Sequence, residues 1–198
     1  MSTVIAGATM SVDGFIAGPE ETGFEHLFAW YEGGDIPFET THPEIPFRMT
    51  AEDTAHVRAM LDDAGVFIVG RRLFDLTNGW GGIHPWDKPV VVVTHRVPQE
   101  WIAAHPDAPF TFVTGGVKEA VAVGHEIAGE RSVVVNGGTM ARQCLEAGLL
   151  DELHVDIAPV LLGAGVPLLG PFTGGPILLD DPEITPGHRV THLRFRIR

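Results

Sequence analysis

A chain of 198 residues, 44% hydrophobic and 20% charged, has the balance of a single soluble globular domain and excludes a disordered or fibrous protein. The formal net charge of −13 argues against a sequence-independent nucleic-acid surface or an anionic-membrane surface, because neutralising phosphates takes clustered Lys and Arg. The single cysteine, Cys144, excludes an internal disulfide and reads as a small core residue. No apolar run approaches the roughly 20 residues of a membrane span and no basic leader opens the chain, so a cytoplasmic location is expected.

Val4 to Met10 reads as a short buried strand, left through the turn Ser11-Val12-Asp13-Gly14. Asp13 either bonds its own turn or faces a ligand. Residues 19–49 break the pattern: glycines and prolines, Pro46 among them, punctuate a stretch rich in Phe24, Phe28, Trp30, Tyr31, Phe38 and Phe47. Such a segment suits a lid or binding loop, or else a loop packed on the body or on another subunit. A short helix over 25–31 is expected within it.

Thr50 can cap the next helix, with Asp53 approximating the capping-box acid three positions later. Val57, Met60, Leu61 and Ala64 follow at helical spacing, and Gly65 supplies the stop. The strand Val66 to Val69 runs into Gly70-Arg71-Arg72-Leu73, a glycine beside two guanidinium groups suited to phosphate. Residues 77–86, including Trp80, read as a loop. Val90 to Val93 is a third strand that ends in Thr94-His95-Arg96.

Phe110 to Val113 is a fourth strand, and Gly115-Gly116 opens a helix with Val117, Ala120, Val121 and Ile127 inward. Val133 to Asn136 then leads through Gly137-Gly138 into an amphipathic helix carrying Met140, Ala141, Cys144 and Leu145, followed by an apolar run from about Leu153. At the C-terminus Leu193, Phe195 and Ile197 alternate with His192, Arg194 and Arg196, which predicts a half-buried antiparallel strand with the polar set outward.

Near-continuous apolar strands separated by helices predict a mostly parallel sheet covered on both faces. Ligands of such sheets bind beyond the carboxyl ends of the strands. Asp13, Arg71, Arg72, His95, Arg96, Gly137 and Gly138 all fall just past such ends, which suits an elongated, multiply phosphorylated ligand. Gly137 and Gly138, ahead of a helix start, offer an anion unpaired N–H groups with no Cβ in the way, although the same pair can be only a tight turn. No G-x-G-x-x-G, P-loop, H-E-x-x-H, C-x-x-C or G-x-S-x-G pattern occurs. An ordinary Rossmann site, a P-loop, a bound metal and a hydrolase elbow are therefore not expected.

Four landmarks in register carry a resemblance: S-V-D-G-F-I-A-G at 11–18, G-R-R-L-F-D at 70–75, V-V-V-V-T-H-R at 90–96, and N-G-G followed by L-L-D-E-L-H-V and A-P-V-L-L-G within 136–163. The chain resembles the dihydrofolate-reductase-like superfamily, and within it the C-terminal reductase domain of bifunctional riboflavin-biosynthesis proteins and its stand-alone bacterial relatives. Residues 19–49 match least. The resemblance implies one domain over 1–198 with a loop-rich insertion at about 19–49. Its fold would be three-layer α/β/α, with a mostly parallel central sheet and an antiparallel C-terminal strand. It further implies NADPH as hydride donor, a small pyrimidine or pteridine-like heterocycle as substrate, and a homodimer.

Carried over by position, Thr9 and Ile16 would lie near the nicotinamide, and Gly70, Arg71, Arg72 and Leu73 would cradle the cofactor phosphates. Thr94, His95 and Arg96 would face the adenosine ribose and its 2′-phosphate, while Gly137, Gly138, Thr139 and Met140 would hold the pyrophosphate. Asp53 falls near the carboxylate that binds pterin in folate reductases, yet it also reads as the cap of its own helix, and a slip of one residue would pick Thr54. Asp13, in the family's S-x-D-G turn, is the first candidate for general acid, Asp53 the second, and an ordered water a third. Phe28, Trp30, Tyr31 and Trp80 would stack a flat heterocycle and close the site, or else are core or dimer contacts. A folate reductase proper and a non-catalytic NADPH-binding dimeric protein are the other readings. The zinc motif of the deaminase partner is absent, so the hydride acceptor stays open.

Overall fold

In the computed structural model, which describes residues 2–44 and 47–198, the first strand already shows why the sheet is parallel. β1 (Val4–Ser11) has neighbours on both sides running in its own direction, and both its faces are covered. Ile45 and Pro46 of the 19–49 segment lie outside the described residues, as does Met1. After β1 come β2 (Phe15–Ala17), α1 (Phe24–Leu27), β3 (Ile36–Phe38), β4 (Phe47–Met49), α2 (Ala51–Asp63), β5 (Ala64–Gly70), α3 (Arg71–Thr77) and β6 (Val90–Val93). Then follow α4 (Gln99–Ala104), β7 (Phe110–Val113), α5 (Val117–Ala128), β8 (Ser132–Asn136), α6 (Thr139–Glu146), β9 (Glu152–Ala158), β10 (Val166–Pro167), β11 (Glu183–Gly187) and β12 (Val190–Arg196).

The main sheet has eight strands in the order β11-β12-β9-β1-β8-β5-β6-β7. The run from β9 to β7 is parallel, and β12 and β11 close one edge antiparallel. The three-layer α/β/α expectation holds, with two antiparallel C-terminal strands where one was expected. On one face Val66, Ile68, Val91 and Val133 bury against Val117, Ala120 and Val121 of α5 and against Ala141 and Cys144 of α6. On the other, Val69, Val90 and Val92 meet Phe74 of α3 and Trp101 of α4, while Leu61 of α2 packs on Phe67 and Val134. At roughly 1.5–3 kcal/mol per large apolar side chain, these two layers are what select the continuous valine runs. Burial also pushes the Cys144 thiol up to about 11, in keeping with a core role.

Two local expectations are met and two are corrected. The Thr50 hydroxyl accepts from the Asp53 N–H at 3.2 Å and donates to the Asp53 carboxylate at 2.7 Å, so the capping pair forms. Phe195 and Ile197 pack on the α5/α6 face as the alternation requires, and Leu193 is half-buried. The helix, however, stops before Gly65, because Ala64 and Gly65 already belong to β5. His192 is on the opposite face as expected, but it is 2% exposed and not outward, because α2 places Asp53 and His56 against it. Residues 19–49 form α1, two single turns of 3₁₀ helix and the β3–β4 hairpin. Trp30 and Met49 bury against Val57 and Val190, which makes this part of the segment a layer of the core and not a free lid. Among the described residues no helix is long and apolar enough to cross a membrane.

Candidate functional site

The carboxyl ends of β1, β8, β5 and β6 lie side by side, and the topology brings the expected residues to that edge. Gly138 has φ +77° and ψ −139°, a conformation closed to most side-chain-bearing residues, and it is the N-cap of α6 with no side chain capping the helix. A Cβ at Gly137 would come within 3.1 Å of Ala8 Cβ and of Ile16 Cδ1, so Ile16 sits against the turn. Met140 lies over Gly70, where an added Cβ would meet its Cγ at 3.4 Å, and this contact joins the β5 and β8 ends. Thr139 is exposed at the mouth of the turn and Thr9 is buried in the neighbouring strand.

The cationic residues divide into braces and free groups. Arg71 donates to Asp75 at 2.7 Å, to the Thr94 hydroxyl at 3.1 Å and to the Arg96 carbonyl at 2.6 Å. Thr94 is buried and its hydroxyl is spent on Arg71 and on the Arg96 backbone. Both residues therefore hold the β5 and β6 ends together. Leu73 likewise packs beside Phe74. Arg72 reaches Glu21, while His95 and Arg96 are exposed, and among the described residues the Arg96 guanidinium makes no hydrogen bond or ion pair.

Asp13 does not suit the role of general acid. Its carboxylate accepts from the Ser11 hydroxyl at 2.6 Å and from the backbone N–H groups of Leu162 at 3.1 Å and Gly163 at 2.7 Å. The Ser11 hydroxyl first, and then these N–H groups, hold it below the usual carboxylate range, the opposite of what a proton donor needs near neutrality. Asp13 instead clamps the loop after β9 onto the turn after β1.

Asp53 is corrected too. It is 0% exposed, and Thr50 Oγ1 and the His188 N–H at 3.2 Å donate to its Oδ2, while His192 Nε2 lies 3.2 Å from Oδ1. A Cβ at Gly187 would collide with this carboxylate, so the β11–β12 turn is shaped around it. Three donors take three of its roughly four lone-pair sites, and with no exposed surface it faces inward and not toward a substrate.

What sequence reasoning missed lies beyond Asp53. Asp156 of β9 is the register partner of Thr9 on β1 and of His192 on β12. His192 Nδ1 stands 2.6 Å from Asp156 Oδ1, and His56 Nε2, from α2, 3.4 Å from the same oxygen. The two imidazoles stack at 3.7 Å. Both ring nitrogens of His192 face carboxylate oxygens, which only accept when ionised, an arrangement that favours the imidazolium. Burial opposes that charge, but the hydrogen bonds and charges of Asp156 and Asp53 outweigh it and raise the His192 pKa. For Asp156 burial pushes upward, and the hydrogen bonds from His192 and His56 win and lower it. His56, Asp156 and His192 lie within 4.8 Å of one another; each imidazole spends a nitrogen on one carboxylate oxygen, the pattern of a hydrogen-bonded chain and not of lone pairs converging on a cation. No short-range motif could reveal a cluster drawn from α2, β9 and β12. The available hint was a histidine inside an otherwise regular strand alternation.

The aromatic residues are not one platform. Trp30 is 1% exposed, stacks on Tyr31 at 3.8 Å and meets His192 at 5.3 Å, and among the described residues its indole N–H has no partner. Trp80 instead packs in the Val69 and Val90 cluster and against His84. Phe28 is exposed beside Phe24 and Tyr31. A stacked lid made from all four is thus overturned: burial removes Trp30, and Trp80 belongs to another cluster.

The family model described as the RibD C-terminal domain matches residues 2–180. A candidate riboflavin-biosynthesis protein of Shewanella sp. PV-4 is similar with a TM-score of 0.70 and 22% identity, over 100% of this chain and 99% of that one. A pyrimidine reductase-like protein of Corynebacterium diphtheriae has a TM-score of 0.62 and 13% identity, over 100% and 92%. RibD of Acinetobacter baumannii has a TM-score of 0.61 and 16% identity, over 100% of this chain and 58% of that chain. A search of curated proteins returns no match. The solved structures speak for the fold, and the match over 2–180 for descent: the chain belongs to the RibD C-terminal domain family.

Proposed function

We propose that this chain is an NADPH-dependent reductase that transfers hydride to a small heterocycle of pyrimidine or pteridine type. The carrying observation is the uncapped start of α6 behind Gly138, joined through Met140 to Gly70 at the carboxyl edge of the sheet. The Gly138 N–H donates to the Leu168 carbonyl at 2.6 Å, so the groups offered to an anion are the N–H groups of the first turn of α6 beyond it, which fits a pyrophosphate. Gly137, Gly138 and Thr139 would hold that group, and the free Arg96 with exposed His95 would face the 2′-phosphate. Thr9 and Ile16 would line the nicotinamide end, with Arg71 and Thr94 bracing the wall. When bound, the reduced cofactor supplies the hydride; the protein's part is to position, exclude water and provide a proton.

Relatives described as a pyrimidine reductase-like protein and as RibD support the substrate class. A folate reductase proper is disfavoured by Asp53, whose oxygens are already taken by Thr50, His188 and His192. The homodimer implied by the resemblance stays part of this reading, and light scattering on the purified chain tests it.

NADPH should raise the melting temperature at saturating concentration, as any ligand of the native state does. NADPH oxidation should then appear with at least one member of a panel of pteridines, ribosylamino-pyrimidines and small carbonyl compounds. Arg96→Ala should weaken NADPH more than NADH; equal weakening would remove Arg96 from the 2′-phosphate, and no NADPH-induced stabilisation would sink the reading.

A further inference from the structure

Resting on the reductase reading, we propose that His56 is the proton donor of the reduction, oriented by Asp156, which the buried His192–Asp53 pair holds in place. With Asp13 and Asp53 both consumed by structural hydrogen bonds, the edge needs another acid. Histidine is the side chain that exchanges protons near neutral pH.

The geometry orders the four groups from outside inward. The His56 side chain is 23% exposed and that of Asp156 19%, whereas His192 is 2% and Asp53 0% exposed. The reacting end must therefore be His56, with His192 and Asp53 behind it. His56 Nε2 lies at ion-pair distance from the Asp156 carboxylate, 3.4 Å, and among the described residues its Nδ1 has no partner. A carboxylate that engages one ring nitrogen fixes the tautomer and leaves the other to the substrate, the logic of a histidine–aspartate dyad in general. The dyad also stands where chemistry is expected, since Asp156 is the register partner of Thr9.

The titratable groups facing the dyad are Asp53 on the same helix, His192 from β12, His154 two residues before Asp156 on β9, and Tyr31 from the turn after α1. The Tyr31 hydroxyl is pushed upward by burial first and by the Asp156 carboxylate second, so it stays neutral beside it. Buried Trp30 packs edge-on to His192 and closes the inner side of the network.

The step balances simply. The reduced dinucleotide is the two-electron donor. As hydride bonds to the electrophilic carbon of the acceptor's C=N or C=O group, the π electron pair moves onto nitrogen or oxygen and takes the proton from His56 Nδ1–H. Neutral His56 keeps its Nε2–H toward Asp156 and is recharged from water.

The test compares wild type, His56→Ala and Asp156→Asn by three readouts: NADPH-induced thermal stabilisation, NADPH oxidation against the heterocycle panel, and ¹⁵N imidazole spectra of histidine-labelled protein. His56→Ala should keep the stabilisation and lose turnover by on the order of 10²–10⁴-fold, the usual worth of a general acid, with partial recovery in free imidazole. Neutral His56 should show the Nε2–H tautomer in wild type and a mixture in Asp156→Asn. Unchanged turnover in His56→Ala, or an Nδ1–H tautomer in the wild type, overturns the proposal. The wild-type tautomer decides even if Asp156→Asn does not fold or no panel member is reduced. Absence of NADPH stabilisation in the wild type counts against the reductase reading instead.

Discussion

The glycine turn at the start of α6 and the polar network over β9 and β12 occupy neighbouring parts of one sheet edge and are built in opposite ways. The turn uses consecutive residues, and the groups it offers are backbone N–H dipoles that carry no titratable charge. The network joins Asp53 to His192 across 139 positions of sequence, and its charge depends on pH. Backbone sites of the first kind suit holding a constant anion, while side-chain clusters of the second kind suit moving a proton. The division of labour proposed between cofactor and substrate sides follows this contrast.

The contrast breaks most visibly at Asp53. Asp53→Ala leaves the buried His192 imidazolium short of a partner and opens the β11–β12 turn, and a loss of about 3–5 kcal/mol is expected from urea unfolding, as for other broken buried pairs. A loss below about 1 kcal/mol would mean the pair behaves as if solvated.

Acid should act next. His84, stacked on Phe67 at 4.6 Å, accepts the Trp86 N–H on Nδ1 at 3.3 Å, and burial, helped by nearby His42, pushes its pKa from 6.5 down to about 3. Its folded value is depressed, so the unfolded chain binds the proton first. Stability should fall by about 1.4 kcal/mol for each pH unit below 6.5 toward 3 from this group. His84→Asn should flatten that limb in melts across pH; an unchanged limb would place the acid sensitivity elsewhere.

The network has its own two-sided signature. The raised His192 contributes stability that is fully present below 6.5 and lost as pH rises through its folded value. Asp156, lowered, contributes above 3.8 and loses that contribution as pH falls through its own folded value. His192→Asn should therefore remove the alkaline loss and leave the His84 limb intact, whereas the glycine turn should show neither.

On the turn itself, Gly138→Ala should cost about 1–3 kcal/mol from forcing a side chain into φ +77°, and should reduce NADPH-induced stabilisation. Loss of stability with full cofactor response would make the glycine purely structural. The smallest effect is at the start of α2, where Thr50→Ala should cost about 1 kcal/mol of helix capping by thermal melting, with Asp53 still held by His188 and His192.

Local features were legible because their causes are local. The valine runs of β6 and β8 have only one way to bury both faces, so a covered parallel sheet follows from the residues themselves. The Thr50–Asp53 pair and the Gly137–Gly138 turn depend on neighbours within three positions. The alternation of β12 also correctly assigned Phe195 and Ile197 to the core face. What alternation cannot say is what covers the other face. Only the passage of α2 over the sheet decided that His192 is buried between Asp53 and Asp156 and that His56 stands at the rim. Only the docking of the loop after β9 decided that Asp13 is a clamp. Strand period and turn chemistry are properties of a short stretch of chain; the burial and pairing of a charged group depend on contacts that exist only once distant segments have packed.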